Sequence, residues 1–132
     1  MASFVLATGE RTSLATQLNT DIGGGYLKIY TGTSPGPNNT ATGTLLVTLN
    51  LPAAGSNSVS NGVITLGSIT QQNAVGSGTA GYGRFLKSDG STAIADADVA
   101  TSGASINLVN TSINSGQPVS ITSATITVPA GT

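Results

Sequence analysis

The 132-residue chain contains no cysteine, no histidine and no tryptophan, and only nine of its residues are charged: Arg11, Lys28, Arg84, Lys87, Glu10, Asp21, Asp89, Asp96 and Asp98. Without cysteine there is no disulfide scaffold and no thiolate nucleophile, and without histidine the commonest general base and metal ligand is missing. Four cations are too few to track a phosphate backbone or to form a polybasic membrane patch, so neither nucleic acid nor membrane is expected as a partner. No apolar run approaches the roughly 18 residues needed to cross a bilayer. The N-terminus lacks a basic segment, so no signal peptide is read there and synthesis in a cytoplasm is expected.

Charged residues make up 7% of the chain, against about 25% in an ordinary globular protein. Low charge alone would favour disorder, but the chain is 38% hydrophobic with a mean hydropathy of +0.19, enough apolar surface to build a core. Eighteen glycines and many Thr, Ser and Asn replace the missing charge, and these favour turns and half-buried strands over solvated helices. The expected class is mainly β, a β-sandwich of jelly-roll or immunoglobulin-like Greek-key order with one short N-terminal helix. Residues 1–8 read as an arm and residues 9–132 as a single domain.

The helix is expected at residues 10–22, where Leu14, Leu18 and Ile22 recur at four-residue spacing beside Ala15. Thr8 is its expected N-cap, and Gly23 is expected in the left-handed conformation at its end. The period then becomes two: Tyr26, Lys28 and Tyr30 share one strand face, and Leu27 and Ile29 the other. A polar loop with Pro35 and Pro37 follows. In the next strand the odd positions Leu45, Val47, Leu49 and Leu51 are expected to face the core.

Asn61-Gly62 predicts a short hairpin, and Asp89-Gly90 a longer one with a type I′ turn. In the second arm of the longer hairpin Ile94, Asp96 and Asp98 share a face that is expected to meet solvent. Near the C-terminus Val119 and Ile121 are odd while Ile126 and Val128 are even, which predicts a β-bulge or a crossing between sheets.

No constellation of catalytic groups stands out. Asp96-x-Asp98 lacks the spacing of a calcium loop, and Gly76-x-Gly78-x-x-Gly81 has dinucleotide-fingerprint spacing but precedes a strand-like segment instead of a helix. Ser and Thr hydroxyls have no histidine to activate them. Asn38-Asn39-Thr40 and Asn110-Thr111-Ser112 match the glycosylation sequon but read as polar turns. No enzymatic activity, cofactor, metal or small-molecule substrate is therefore expected. Tyr26 and Tyr30 could stack on a sugar, which makes a carbohydrate-binding module a third reading, although core and sheet-edge packing is the favoured account of these few aromatics.

Phe4, Val5 and Leu6 form an apolar triplet ahead of the helix that must dock on the chain's own core or on a neighbour. A surface of hydroxyls and amides suits permanent assembly, because such groups pair across an interface without the desolvation penalty of a buried ion. A homo-oligomer is expected, with Phe4, Val5, Leu6, Pro35 and Pro37 as candidate contact residues.

The segment order resembles that of small structural proteins of tailed bacteriophages. The resemblance is carried by Gly23-Gly24-Gly25 after the helix, residues 27–33 with Pro35, Ala41-Thr42-Gly43-Thr44-Leu45-Leu46, Asn61-Gly62-Val63, residues 83–90, Ser102-Gly103-Ala104 and residues 119–129. It implies a virion structural role, a capsid decoration or cement protein bound to the major capsid protein on the outer shell. A tail, neck or fibre module is the alternative.

Overall fold

The computed structural model describes residues 5–128. Its helix, α1 (Thr8–Ile22), starts two residues earlier than the periodicity implies, so Thr8 lies inside it and Ala7 occupies the N-cap position without a side-chain cap bond. Glu10 sits in the first turn, where its charge favours the positive end of the helix dipole.

The buried face of α1 is also rotated from the expected stripe. Ala15, Asn19 and Ile22 point inward, Leu18 is half-buried, and Leu14 is 50% exposed. Asn19 ties down this rotation: its Nδ2 donates to the Ala54 carbonyl at 3.1 Å, and its Oδ1 accepts from Asn57 Nδ2 at 2.8 Å. A buried amide must be satisfied, so the face that carries it turns toward the 3-10 turn at Ala54–Ser56 at the expense of Leu14. After the helix Gly24, at φ +70°, takes the left-handed conformation expected of Gly23.

Eleven strands follow among the described residues: β1 (Tyr26–Thr31), β2 (Leu45–Asn50), β3 (Ser58–Ser60), β4 (Val63–Thr65), β5 (Gln72–Asn73), β6 (Gly78–Leu86), β7 (Ala93–Ala100), β8 (Ile106–Leu108), β9 (Ser112–Ile113), β10 (Pro118–Val119) and β11 (Ile121–Thr127). They form one continuous path in the order β2-β1-β6-β7-β8-β11-β4-β3, with β9 paired to the start of β6 and β5 with β10 making a separate two-stranded ribbon. Every pair is antiparallel except β7 with β8. The chain is thus mainly β with one N-terminal helix, and the sheet curls on itself in a manner compatible with a sandwich or a half-barrel.

The inner face carries Leu27, Ile29, Val47, Leu49, Phe85 and Ile106, and α1 adds Ala15 and Ile22 to the same core. In β2 the odd-position rule holds for Val47 and Leu49 and fails at the start of the strand. The β1–β2 register jumps there, with Ile29 opposite Val47 and Tyr30 opposite Leu45, and the skipped residue Leu46 turns inward to become fully buried. A similar jump between Ile121 and Ser123 in the β8–β11 pairing brings Ala124 to the core, which is the expected bulge.

The two predicted hairpins differ in their turns. Asn61 (φ +52°) and Gly62 (φ +77°) are both left-handed, the signature of a type I′ turn, and join β3 to β4. Between β6 and β7 only Gly90 is left-handed, and the loop is wider, closed by Lys87 N–H to the Thr92 carbonyl at 3.0 Å. The expected type I′ turn does not form because the Asp89 carboxylate accepts from Ser91 N–H (2.9 Å) and Thr92 N–H (2.8 Å), which builds an Asx-type turn instead.

Candidate functional site

The period of two in β1, β6 and β7 sends Tyr26, Lys28, Tyr30, Tyr82, Arg84, Leu86, Asp96 and Asp98 to the outer face, whereas Ile94, expected to share the face of Asp96 and Asp98, is skipped by the β6–β7 register shift and packs against the core instead. Solvent does not cover the centre of that face. The connection from β1 to β2, residues 32–44, folds across it as a strap. Its start lies against Gly81, where an added Cβ would overlap the Gly32 backbone. Its end is held by Tyr82, whose hydroxyl donates to the Thr42 carbonyl (2.7 Å) and accepts from Thr42 N–H (3.0 Å). Tyr82 also stacks on Tyr30, with centroids 5.2 Å apart and planes 13° from parallel.

Between these two ends lies the buried ion pair of Arg84 and Asp96, whose side chains are 6% and 4% exposed. Arg84 Nε donates to Asp96 Oδ1 at 2.7 Å and its Nη2 to Oδ2 at 3.0 Å, a bidentate fork. The remaining donors serve the strap: Nη1 reaches the Asn39 carbonyl at 2.8 Å, and Nη2 the Gly36 carbonyl at 2.9 Å. Ser34 Oγ donates to Asp96 Oδ2 at 2.5 Å and accepts from Gly36 N–H. Among the described residues no buried side-chain nitrogen or oxygen lacks a partner.

Burial pushes the Asp96 carboxyl upward, but the hydrogen bonds from Arg84 and Ser34 and the Arg84 charge outweigh it and hold the group below the ordinary carboxylate range. The same hydrogen bond to Asp96 raises the Arg84 guanidinium. Burial, with Tyr82 second, raises the Tyr30 phenol. An Asp96 carboxylate stabilised in this way is a weak base toward Ser34. The cluster therefore works as a latch: it fixes the strap's course and leaves its tip, Pro37, Asn38, Asn39 and Thr40, exposed and uncharged. Beside the tip is an open cleft of about 610 Å³ that reaches Lys28, Tyr30 and Leu86.

Of the contact residues read from sequence, Pro35 (half-buried) and Pro37 (exposed) belong to this strap. Val5 is 68% exposed and Leu6 half-buried just ahead of α1, and Phe4 lies outside the described residues. The structure does not join the two groups. The strap links β1 and β2 at one end of the strand order, whereas α1 packs on β3 and β4 at the other.

The expectation that Asp96 meets solvent is overturned, because the strap covers it. Asp98 is exposed and accepts from Ser105 N–H at 3.0 Å, which lowers its carboxyl. Gly78 and Gly81 of the fingerprint spacing lie in β6, and Asn39 and Asn110 hydrogen-bond within their own turns. Tyr30 has one ring face taken by Tyr82, which limits a sugar platform with Tyr26.

Sequence reasoning missed Ser34, Tyr82, Arg84 and Asp96 as a unit. The hairpin register hid them: a two-residue turn at Asp89-Gly90 sets Arg84 opposite Ala95, and only the irregularity between Phe85 and Leu86 shifts the pairing so that Arg84 faces Asp96. Among the described residues no three His, Cys, Asp or Glu side chains group as metal ligands, and no helix is long and apolar enough to cross a membrane. Comparison with protein-family models, with curated proteins and with solved structures gives no match.

Proposed function

We propose that this chain is a virion structural protein of a tailed bacteriophage that binds the outer capsid surface as an oligomer and cements neighbouring capsid subunits. The observation that carries the reading is the latched strap. A loop whose ends are held at Gly81 and Tyr82 and whose middle is fixed by a buried ion pair, and whose tip offers only proline, amide and hydroxyl groups, is ordered before it binds. It therefore loses little conformational entropy on docking. Amide and hydroxyl contacts also avoid the desolvation of ions. The resemblance to small phage structural proteins supports the same assignment.

The mechanism is mass action. A protein that binds the assembled shell and not the free subunits stabilises the shell by its binding free energy. The major capsid protein is the partner, and the strap with Pro35 and Pro37 is the face turned to it.

Immunogold labelling of purified virions with antibody to this chain tests the proposal. Label spread over the head is the expected result, followed by heat or chelator release of DNA at milder conditions from particles lacking the protein. Label confined to tail or neck would replace the capsid reading by a tail, neck or fibre role, and unlabelled particles would overturn both.

A further inference from the structure

The curled sheet has a gap. β7 pairs with β8 only through Val99 and Ala100, so its residues 93–98 have β6 on one side and no strand on the other among the described residues. β11 pairs with β8 through Ile121, Ser123 and Ala124, and past the bond from Thr125 N–H to the Ser105 carbonyl its residues 126–127 have only β4 beside them. Because β8 bridges both strands further along, their open edges start about two strand spacings apart, roughly 9.5 Å, the width that admits one added strand.

The gap is a cavity of about 400 Å³, and its apolar lining is Leu18, Phe85, Ala95, Ala97, Ile126 and Val128. All but Phe85 are only partly buried hydrophobics at the margin of the core. Two open strand edges over an apolar floor form an acceptor for strand addition, in which backbone bonds supply affinity and alternate side chains supply specificity.

The chain also carries a matching donor. In an extended segment Phe4 and Leu6 project to one face and Val5 to the other, and all three residue types favour strands. Val5, Leu6 and Ala7 do not line the gap of their own chain, and Val5 is left 68% exposed. Val5 makes an isolated β-bridge within its own chain and leaves its side chain exposed. A second copy can cover that apolar arm and fill the gap at once, since each copy supplies one arm, released from its bridge, and one gap, the self-complementary arrangement of a two-fold dimer.

We propose that the gap between β7 and β11 receives the N-terminal arm of a second copy, residues 2–6, as an added strand with Phe4 and Leu6 set against Leu18 and Phe85. The proposal does not depend on the virion assignment, because donor and acceptor both belong to this chain.

The absence of native cysteine makes the test direct. Phe4→Cys with Ala97→Cys in the full chain, oxidised and run without reductant, should give a covalent dimer that neither single variant gives. A cross-linked monomer would place the arm in its own gap and overturn the proposal. So would two thiols that stay free, or single variants that dimerise as well as the pair. As an independent measure, light scattering should show the wild type at twice 12.9 kDa or more, and Phe4→Asp at no more than half the wild-type mass with an unchanged far-UV spectrum. A monomeric wild type, or a mass unmoved by Phe4→Asp, would likewise overturn it.

Discussion

Arg84 and Asp96 show why the worth of a buried ion pair depends on how it is removed. Asp96→Ala leaves a guanidinium in a dry site with only carbonyl partners, and is expected to lower stability by about 3–5 kcal/mol, read from urea unfolding. Arg84→Met together with Asp96→Leu removes both charges and should recover most of that loss. The double variant still cuts the bonds to Gly36 and Asn39, so amide hydrogen exchange should speed up through the strap even where global stability returns.

The pH dependence follows from the same residues. A carboxyl whose folded pKa is depressed contributes stability above its unfolded pKa of about 4, and that contribution disappears as pH falls through the folded value. Asp96 and Asp98 are both lowered, and Asp89 is lowered to about 2, chiefly by the Thr92 hydroxyl and backbone N–H. Stability should therefore decline on acidification below about pH 4. Asp96→Asn, though less stable at neutral pH, should show a flatter acid limb in thermal melts across that window.

At the level of elements, the turns separate what neighbouring residues dictate from what they permit. Asn61-Gly62 takes the type I′ geometry its sequence favours, and Asn61→Val, which forces a β-branched side chain to φ +52°, should cost about 1–2 kcal/mol by thermal or urea unfolding, whereas Asn61→Gly should be close to neutral. Asp89-Gly90 has the same kind of signature but is diverted by its own carboxylate.

The helix makes a parallel case. Its existence and approximate limits were legible from Leu14, Leu18 and Ile22. Its rotation was not, because Asn19 bonds to Ala54, 35 residues away. The odd-position rule for β2 failed only where Leu46 enters a bulge, a feature set by the partner strand and not by β2's own alternation.

At the scale of the whole molecule, the scarcity of charge decides how assembly responds to solution conditions. With nine charges in 132 residues, and two of them buried against each other, few ion pairs remain for salt to screen. Binding to the shell and association between copies are expected to change less than about threefold between 0.1 and 1 M NaCl, measured by co-sedimentation and by light scattering. A steep loss would mean that Lys28, Lys87 or Arg11 carries the contact. The exposed tip of the strap is built from uncharged groups, and the gap between β7 and β11 has an apolar floor with Asp98 the one exposed charge in its lining. The strap's Pro35 and Pro37 could be picked out beforehand because proline and asparagine mark a loop; the gap could not, because no local pattern reports where β8 stops short.

By itself the amino-acid sequence determined the mainly β class, the single helix near the N-terminus, the two faces of β1, the Asn61-Gly62 hairpin and the parity break resolved at Ser123. These depend on periodicity and turn chemistry among residues a few positions apart. Only the tertiary structure decided that Asp96 is buried, that Ser34 reaches it across 62 residues, that α1 turns Asn19 inward, and that β7 and β11 stand apart with an apolar floor between them. Each of these is a meeting of distant segments, fixed by strand order and curl, to which nearest-neighbour propensities are blind.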